Sequence, residues 1–209
     1  MVSLYSEMVK KHTLILEASD TNQIYELLSR GQIGVLPTDT VYGVVAIASK
    51  ADAVRRAYDL KNREQKPGTV VSADVNQLVE LGLKQRYLRP AESFWPGAVS
   101  VIVPCGPSLD YLTLGVGAIA VRVSSSRAFN QLLKRTGPLL TTSANQPGMR
   151  PASNIDEAFS YFGQRVDLYV DGGDLSDKEP STVIRIIDDT LEMLRRGAVQ
   201  ISEYGEIIK

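Results

Sequence analysis

Apolar residues recur along this chain at two different spacings. Short runs rich in β-branched residues, such as 32–36 and 118–123, have the length of buried strands. Other segments, such as 51–61, place apolar residues three and four positions apart, which is the period of an amphipathic helix. Because the two patterns alternate along the chain, the sequence predicts an α/β fold with a mixed sheet.

The pattern gives the order of the predicted elements. Strands are predicted at 13–16, 32–36, 69–71, 98–103, 118–123, 138–142, 167–170, 182–186 and 191–194. Helices are predicted at 20–30, 51–61, 75–81, 84–94 and 126–136, and around Ile155, Ala158, Phe159 and Phe162. Segments 37–43 and 104–117 are predicted as loops. With no repeat, low-complexity tract or long Gly/Ser linker, we expect one domain over 1–209.

The composition is that of an ordinary globular protein. Of the 209 residues, 44% are hydrophobic and 22% are charged, which is enough apolar material for a core. No apolar run approaches the roughly 20 residues that cross a bilayer, so we expect no membrane contact. The N-terminus lacks the apolar region and small-residue cleavage site of a secretory signal, which predicts a cytoplasmic location.

The scarcity of cysteine and histidine argues against several kinds of site. A single cysteine, Cys105, excludes an internal disulfide and a cluster of thiolate ligands. A single histidine, His12, argues against a histidine-based metal centre and a Ser-His-Asp hydrolase. We therefore predict no protein-held metal ion.

The net charge of −1 argues against generic binding to nucleic acid, although a local basic cleft stays open.

Two short polar pairs are candidates for binding a polyphosphate. Lys61 and Arg63 stand at the end of a predicted helix, and Ser143 and Asn145 follow a predicted strand. Two cations and two short neutral groups would suit a triphosphate. Each pair also has a structural explanation: a solvated helix terminus for the first and an Asx-type turn for the second. Both explanations stay open.

Arg122 interrupts an otherwise apolar strand, and a guanidinium in such a place needs an anion beside it. The familiar nucleotide signatures are missing. There is no G-x-x-x-x-G-K-[ST] loop, and Gly115-Val116-Gly117 lacks the third glycine of a dinucleotide fingerprint. An ATP site in this chain must therefore be built in another way.

Seven short segments, taken in order, resemble one family. They are Pro37-Thr38-Asp39-Thr40-Val41-Tyr42-Gly43, Lys61-x-Arg63, Trp95-Pro96-Gly97, Val121-Arg122-Val123, Ser143-x-Asn145, Ser181-Thr182-Val183 and Leu194-Arg195-x-Gly197. Together they resemble the YrdC-like family, the threonylcarbamoyl-AMP synthases of tRNA modification, over about 20–199. The resemblance implies a twisted open mixed sheet with flanking helices that enclose a large concave cavity, as in the short single-domain members.

The resemblance also implies a reaction. The family joins L-threonine, bicarbonate or CO2 and ATP into threonylcarbamoyl-AMP and releases pyrophosphate, with Mg2+ delivered as Mg-ATP. A transferase partner then uses the product to make N6-threonylcarbamoyladenosine in tRNA, and weak contact of this chain with tRNA is open. By resemblance the threonine-binding residues are Thr38, Tyr42, Arg122 and Ser181. The ATP-binding residues are Lys61 and Arg63, which are also the catalytic cations, and Ser143, Asn145 and Arg195.

Departures from the family pattern leave two alternatives. Asn62 and Glu64 replace the glycine and proline that the family often has, and Ser72 stands where many relatives have a histidine on the substrate side. One alternative is a divergent ligand-binding paralogue. The other is a non-catalytic protein that binds tRNA or double-stranded RNA, although 7% aromatic residues offer few stacking platforms. Thr38 capping a turn and Tyr42 packing in the core are also open.

Overall fold

A mixed sheet of ten strands organises the computed structural model, which describes residues 13–62, 66–188, 190–202 and 204–208. The strands are β1 (Leu14–Glu17), β2 (Gly34–Pro37), β3 (Tyr42–Ile47), β4 (Thr69–Ser72), β5 (Val99–Pro104), β6 (Ala118–Val123), β7 (Leu139–Ser143), β8 (Leu168–Asp171), β9 (Thr182–Ile187) and β10 (Thr190–Arg195). Their order across the sheet is β1-β8-β2-β3-β7-β4-β6-β5-β9-β10. A separate antiparallel pair follows, β11 (Gln200–Ile201) and β12 (Ile207–Ile208).

Parallel and antiparallel pairs alternate irregularly in the sheet. Strands β1 and β2 run parallel to β8, β4 runs parallel to β6, and β5 runs parallel to β9. The other neighbouring pairs are antiparallel. Strand β7 lies between β3 and β4, and Gly43 of β3 pairs with Ser143 of β7. This register places the start of β3 beside the end of β7.

Helices flank the sheet. They are α1 (Thr21–Ser29), α2 (Ala51–Leu60), α3 (Val75–Glu80), α4 (Gln85–Leu88), α5 (Asp110–Thr113), α6 (Arg127–Thr136) and α7 (Ile155–Phe162), with short 3-10 helices at Arg89–Phe94, Pro107–Leu109 and Gly163–Arg165. Asp74, Ser126 and Asn154 cap α3, α6 and α7, since each side chain accepts a hydrogen bond from a backbone N–H three residues later. Such caps satisfy backbone donors that have no partner within the helix.

Apolar side chains form a core on each face of the sheet. Successive residues of a strand point to opposite faces, and Leu139 and Leu140 of β7 accordingly belong to different cores. Helices α1 and α6 contribute Leu28 and Leu133 to the core that contains Leu139. Helix α7 contributes Phe162 to the core that contains Leu140. Full burial of a side chain of this size contributes about 1.5–3 kcal/mol.

Most predicted elements are confirmed to within two residues, two are corrected, and strand β3 was not predicted. No strand was predicted at β3: its first two residues fall in the predicted loop 37–43, and the remaining apolar run 44–47 is too short to be identified as a strand by periodicity. The predicted helix 84–94 is divided into α4 and a 3-10 helix, because Pro90 has no N–H with which to continue α4. The predicted loop 104–117 contains α5 and a 3-10 helix.

Within the described ranges, no helix has both the length and the apolar character that crossing a bilayer requires.

Candidate functional site

Polar groups from distant parts of the chain converge on a cavity of about 190 Å³. Its walls come from the segment between β2 and β3, the end of β7, strand β6, the residues before β9 and the end of β10. Six predicted site residues line it: Thr38, Tyr42, Arg122, Ser143, Ser181 and Arg195. Lys61 and Asn145 contact the end of β7 beside the cavity. Arg63, the remaining prediction, lies outside the described residues.

Lys61 is a buried residue, with 6% of its surface exposed, and not a solvated helix terminus. Its Nζ donates to Ser143 O at 2.8 Å, to Asn145 Oδ1 at 2.9 Å and to Asn145 O. The ammonium also lies 5.7 Å from the centroid of the Phe162 ring. Neutral oxygens accept these three bonds. In this state Lys61 therefore fixes the end of β7.

Ser143 and Asn145 lie in a turn after β7, and their side chains form a polar cluster with Lys61. Ser143 Oγ donates to Asn145 Oδ1 at 2.7 Å, and Asn145 Nδ2 donates to Met149 O at 2.6 Å. Asn145 N also donates to Ser143 O at 3.0 Å, so a local turn is present, and Lys61 joins it through Asn145 Oδ1. The turn is not of the Asx type, because Pro147, two residues on, has no N–H to donate to the Asn145 side chain. A structural role in this turn and a role in ligand binding are not exclusive, because the turn presents Ser143 to the cavity.

Arg122 has an anion beside it within the protein, as a guanidinium in an apolar strand requires, and that anion is Asp39. Arg122 Nε lies 3.0 Å from Asp39 Oδ2, Nη2 bonds Asp39 Oδ1, and Nη2 also lies 3.3 Å from Thr40 Oγ1. The side chains of Arg122 and Asp39 are only 4% and 1% exposed. Nη1 has no hydrogen-bond partner among the described residues, and Arg122 lines the cavity. Nη1 is therefore the guanidinium nitrogen that a ligand can use.

Asp39 was not among the predicted site residues. The signal that could have found it is charge: Asp39 is the sole acid in the segment 37–43, and a buried guanidinium requires one.

Thr38 and Tyr42 hold the protein around the cavity through their hydroxyls. Thr38 Oγ1 donates to Val41 O at 2.7 Å and accepts from Thr40 N at 3.2 Å, so it caps the turn before β3. Tyr42 is fully buried; its Oη donates to Gly173 O at 2.9 Å and accepts from Gly172 N at 2.8 Å. Burial raises the pKa of Tyr42 above its ordinary value, because the phenolate would lose hydration.

Ser181 and Arg195 are joined on the opposite wall. Arg195 Nη2 donates to Ser181 O at 2.7 Å and to Ser181 Oγ at 3.1 Å, and Nε donates to the same carbonyl at 3.1 Å. Ser181 Oγ also lies 2.9 Å from the Oγ of Ser100, which sequence reasoning did not identify. A Cβ on Gly197 would meet Pro180 O at 2.2 Å, so a glycine is required for this close approach.

Two other polar residues stand apart from the cavity. Ser72 is fully buried, and its Oγ donates to Asp74 O at 2.8 Å rather than lining the cavity. Burial raises the pKa of the Cys105 thiol to about 11, which keeps it a poor nucleophile at neutral pH. No group of three or more His, Cys, Asp or Glu side chains that could hold a metal ion occurs in the part of the chain that the structure describes.

A sequence model of the Sua5/YciO/YrdC family, described as "Telomere recombination", matches residues 26–197. The chain belongs to this family. This match confirms the predicted family membership, the ten-stranded mixed sheet with flanking helices confirms the predicted fold class, and individual residue roles stay predictions.

Two curated members of the Sua5/YciO/YrdC family illustrate the likeness in sequence. A putative threonylcarbamoyl-AMP synthase of Mycobacterium leprae (strain TN) is 31% identical over 188 residues, which cover 87% of this chain and 84% of that protein. The threonylcarbamoyl-AMP synthase of Bacillus subtilis (strain 168) is 30% identical over 192 residues, which cover 89% of this chain and 56% of that protein.

Two solved structures of the family share the fold. Sua5 of P. abyssi complexed with L-threonine superposes with a TM-score of 0.79 at 25% identity, covering 90% of this chain and 58% of that one. YciO of E. coli superposes with a TM-score of 0.77 at 24% identity, covering 92% of this chain and 97% of that one. This chain thus spans less than two thirds of the P. abyssi and B. subtilis proteins.

Proposed function

We propose that this protein is an L-threonylcarbamoyladenylate synthase, a nucleotidyltransferase that makes threonylcarbamoyl-AMP and pyrophosphate from L-threonine, bicarbonate or CO2 and ATP. The observation that carries the proposal is the convergence of Arg122, Ser143, Ser181 and Arg195 on one cavity in a chain of this family. Relatives that carry the name threonylcarbamoyl-AMP synthase, and a related Sua5 structure with L-threonine, support it.

The amino acid is proposed to bind against β6 and the residues before β9. Arg122 Nη1 and the Ser181 hydroxyl are donors, and donors suit a carboxylate oxygen. The Asp39–Arg122 pair is neutral overall, so it orients a carboxylate through hydrogen bonds more than through net charge. Thr38 and Tyr42 act from the neighbouring wall: Thr38 caps the turn before β3, and Tyr42 ties the start of β3 to Gly172 and Gly173.

ATP is proposed to bind near the end of β7. Lys61, Arg63 and Arg195 are the cations for its phosphates, with Ser143 and Asn145 as the short polar contacts. A phosphate oxygen that replaces Ser143 O or an Asn145 oxygen as an acceptor of Lys61 would couple nucleotide binding to the turn at Asn145.

The chemistry asks mainly for positioning and charge neutralisation. The neutral amine of threonine adds to CO2 and releases a proton to water, which gives a carbamate anion. A carbamate oxygen then attacks the α-phosphorus of ATP as pyrophosphate leaves. Aligning the two substrates and neutralising developing charge can supply much of the rate enhancement. The described lining residues offer hydroxyls and guanidinium groups, and Asp39 is committed to Arg122. They do not fit a protein-held Mg2+ site, and Mg2+ supplied with ATP would be held by phosphate oxygens and water.

The product is proposed to pass to a transferase partner that forms N6-threonylcarbamoyladenosine in tRNA. A cytoplasmic location and at most weak direct contact with tRNA belong to the same proposal. The net charge of −1 supports the second point, because affinity for nucleic acid comes largely from phosphate neutralisation.

Incubation with ATP, Mg2+ and bicarbonate tests the function, with L-threonine, L-serine or L-valine supplied separately. We expect pyrophosphate release that depends on threonine, together with an adduct of the mass of threonylcarbamoyl-AMP. Pyrophosphate release independent of the amino acid would contradict the proposal. Salt-sensitive tRNA binding without turnover would favour the RNA-binding alternative instead.

A further inference from the structure

Ser100 is a buried hydroxyl that touches the site without lining it. It belongs to β5, is 0% exposed, and pairs with Val183 of the parallel strand β9. Its Oγ lies 2.9 Å from Ser181 Oγ, and Ser181 does line the cavity. The two serines are 81 residues apart in sequence, so only the pairing of β5 with β9 brings them together.

Counting donors and acceptors decides the direction of the bond between these serines. A hydroxyl has one proton and two lone pairs. Ser181 Oγ already accepts a proton from Arg195 Nη2 at 3.1 Å, and an arginine can only donate. Within the described residues, Ser181 Oγ is the sole hydrogen-bond partner of Ser100 Oγ. A buried O–H without an acceptor is costly, so the Ser100 hydroxyl donates its hydrogen bond to Ser181 Oγ.

This direction has a consequence for Ser181. With Arg195 and Ser100 both donating to its Oγ, Ser181 has no lone pair left for a ligand. Its own proton has no acceptor among the described residues, and the cavity is where it can find one. Ser181 is thus a hydrogen-bond donor towards the cavity and cannot accept a bond from a ligand amine or hydroxyl.

We propose that Ser100 is a positioning residue that, together with Arg195, fixes Ser181 as an obligate donor for an anionic oxygen of the substrate. This inference rests on the proposed function for the identity of that oxygen, which is the carboxylate of the amino acid or its carbamate. With Arg122 Nη1, the cavity then offers donors from two walls to the same acceptor group.

A double-mutant cycle tests the inference, with the isosteric pair Ser100→Val and Ser100→Thr as matched variants. We expect Ser100→Val to raise the KM for threonine roughly fivefold, which is the size of one lost neutral hydrogen bond, and to leave the KM for ATP within about twofold. Ser100→Thr retains the hydroxyl and should restore the KM for threonine. In a Ser181→Ala background, Ser100→Val should change nothing further, because Ser100 acts through Ser181.

Two outcomes would overturn the inference: an equal effect of Ser100→Val with and without Ser181, or equal effects of the Val and Thr variants.

Neutron diffraction from crystals in D2O provides a readout that does not depend on activity. We expect the Ser100 deuteron between the two Oγ atoms and the Ser181 deuteron towards the cavity. A Ser181 deuteron directed at Ser100 would refute the inference. Failure of the proposed function alone would leave this deuteron pattern in place but abolish threonine-dependent pyrophosphate release.

Discussion

Asp39 and Arg122 form a buried ion pair beside the cavity, and their side chains are 1% and 4% exposed. Removing one member of such a pair leaves the other charge uncompensated in a medium of low polarity. We therefore expect Asp39→Ala to lower the free energy of unfolding by about 3–5 kcal/mol, measured by urea denaturation. Asp52→Ala, which breaks the exposed pair with Arg55, is the control and should stay within about 1 kcal/mol. Equal effects of the two variants would contradict the structural role of Asp39.

Lys61 combines a structural role with the proposed phosphate contact. Lys61→Met keeps a long apolar stem beside Phe162 but removes the bonds to Ser143 and Asn145. We expect ATP turnover to fall at least about tenfold, since a charge-assisted contact contributes about 1.5–3 kcal/mol. Lys134→Met, at an exposed position of α6, should leave turnover unchanged. Wild-type kinetics in a folded Lys61→Met variant would remove Lys61 from the nucleotide site.

Cys105 should react slowly, because burial raises the pKa of its thiol to about 11. At pH 8 only roughly a thousandth of the thiol is ionised, so alkylation by iodoacetamide should be far slower in the native protein than in urea. The native rate should rise about tenfold per pH unit up to the pKa. Between pH 9.0 and about 11 the folded protein keeps the thiol proton that the unfolded chain loses. The free energy of unfolding therefore falls as pH rises through that window. Mass spectrometry follows the single cysteine, and equal rates in both states would contradict burial.

At the level of elements, the close approach of Gly197 to the segment before β9 holds Ser181 in place. A Cβ at Gly197 would lie 2.2 Å from Pro180 O and 2.7 Å from Ser181 O, and these backbone atoms would have to move. We expect Gly197→Ala to cost about 1–3 kcal/mol and to raise the KM for threonine through the displaced Ser181. Gly106→Ala is the matched control, because its Cβ would meet nothing within 4 Å. A Gly197→Ala variant indistinguishable from Gly106→Ala would contradict this tight contact.

The sequence predicts elements well where their polarity alternates or where turn residues bound them. It fails at β3, because Tyr42 and Gly43 belong to the segment predicted as a loop and the apolar run that remains, 44–47, is too short to be identified by periodicity. The site residues that belong to short recognisable segments, such as Ser143 and Arg195, could be predicted from the sequence, and they do line the cavity. Asp39 and Ser100 were missed because their partners lie 83 and 81 residues away, at positions that only the strand order of the sheet brings close.

At the scale of the whole molecule, the cavity connects the two halves of the sheet. Residues from the β2–β3 segment and from β10 line it, although β2 and β10 lie far apart in the strand order. A ligand that contacts both walls binds the native arrangement and not the unfolded chain. Its binding should therefore stabilise the entire sheet by mass action. That the chain forms one domain over 1–209 stays a prediction.

Threonine should accordingly raise the melting temperature of the wild type when a non-hydrolysable ATP analogue is present. A ligand at about 100 times its Kd adds roughly 2.7 kcal/mol, which corresponds to about 5–10 °C for a chain of this size. Threonine amide lacks the anionic oxygen that Arg122 Nη1 and Ser181 would bind, so its shift should be small.

Arg122→Lys keeps a positive charge but cannot reproduce the fork that bonds Asp39 through Nε and Nη2. The lysine ammonium is expected to turn to Asp39, which removes the donor at Nη1 from the cavity. Most of the threonine-induced shift should therefore disappear, while the variant's own melting temperature, measured without ligand, reports whether the fold survives. The amide in the wild type serves as a second measurement that needs no substitution. Equal stabilisation of the wild type by threonine and its amide would show that Arg122 does not recognise the carboxylate.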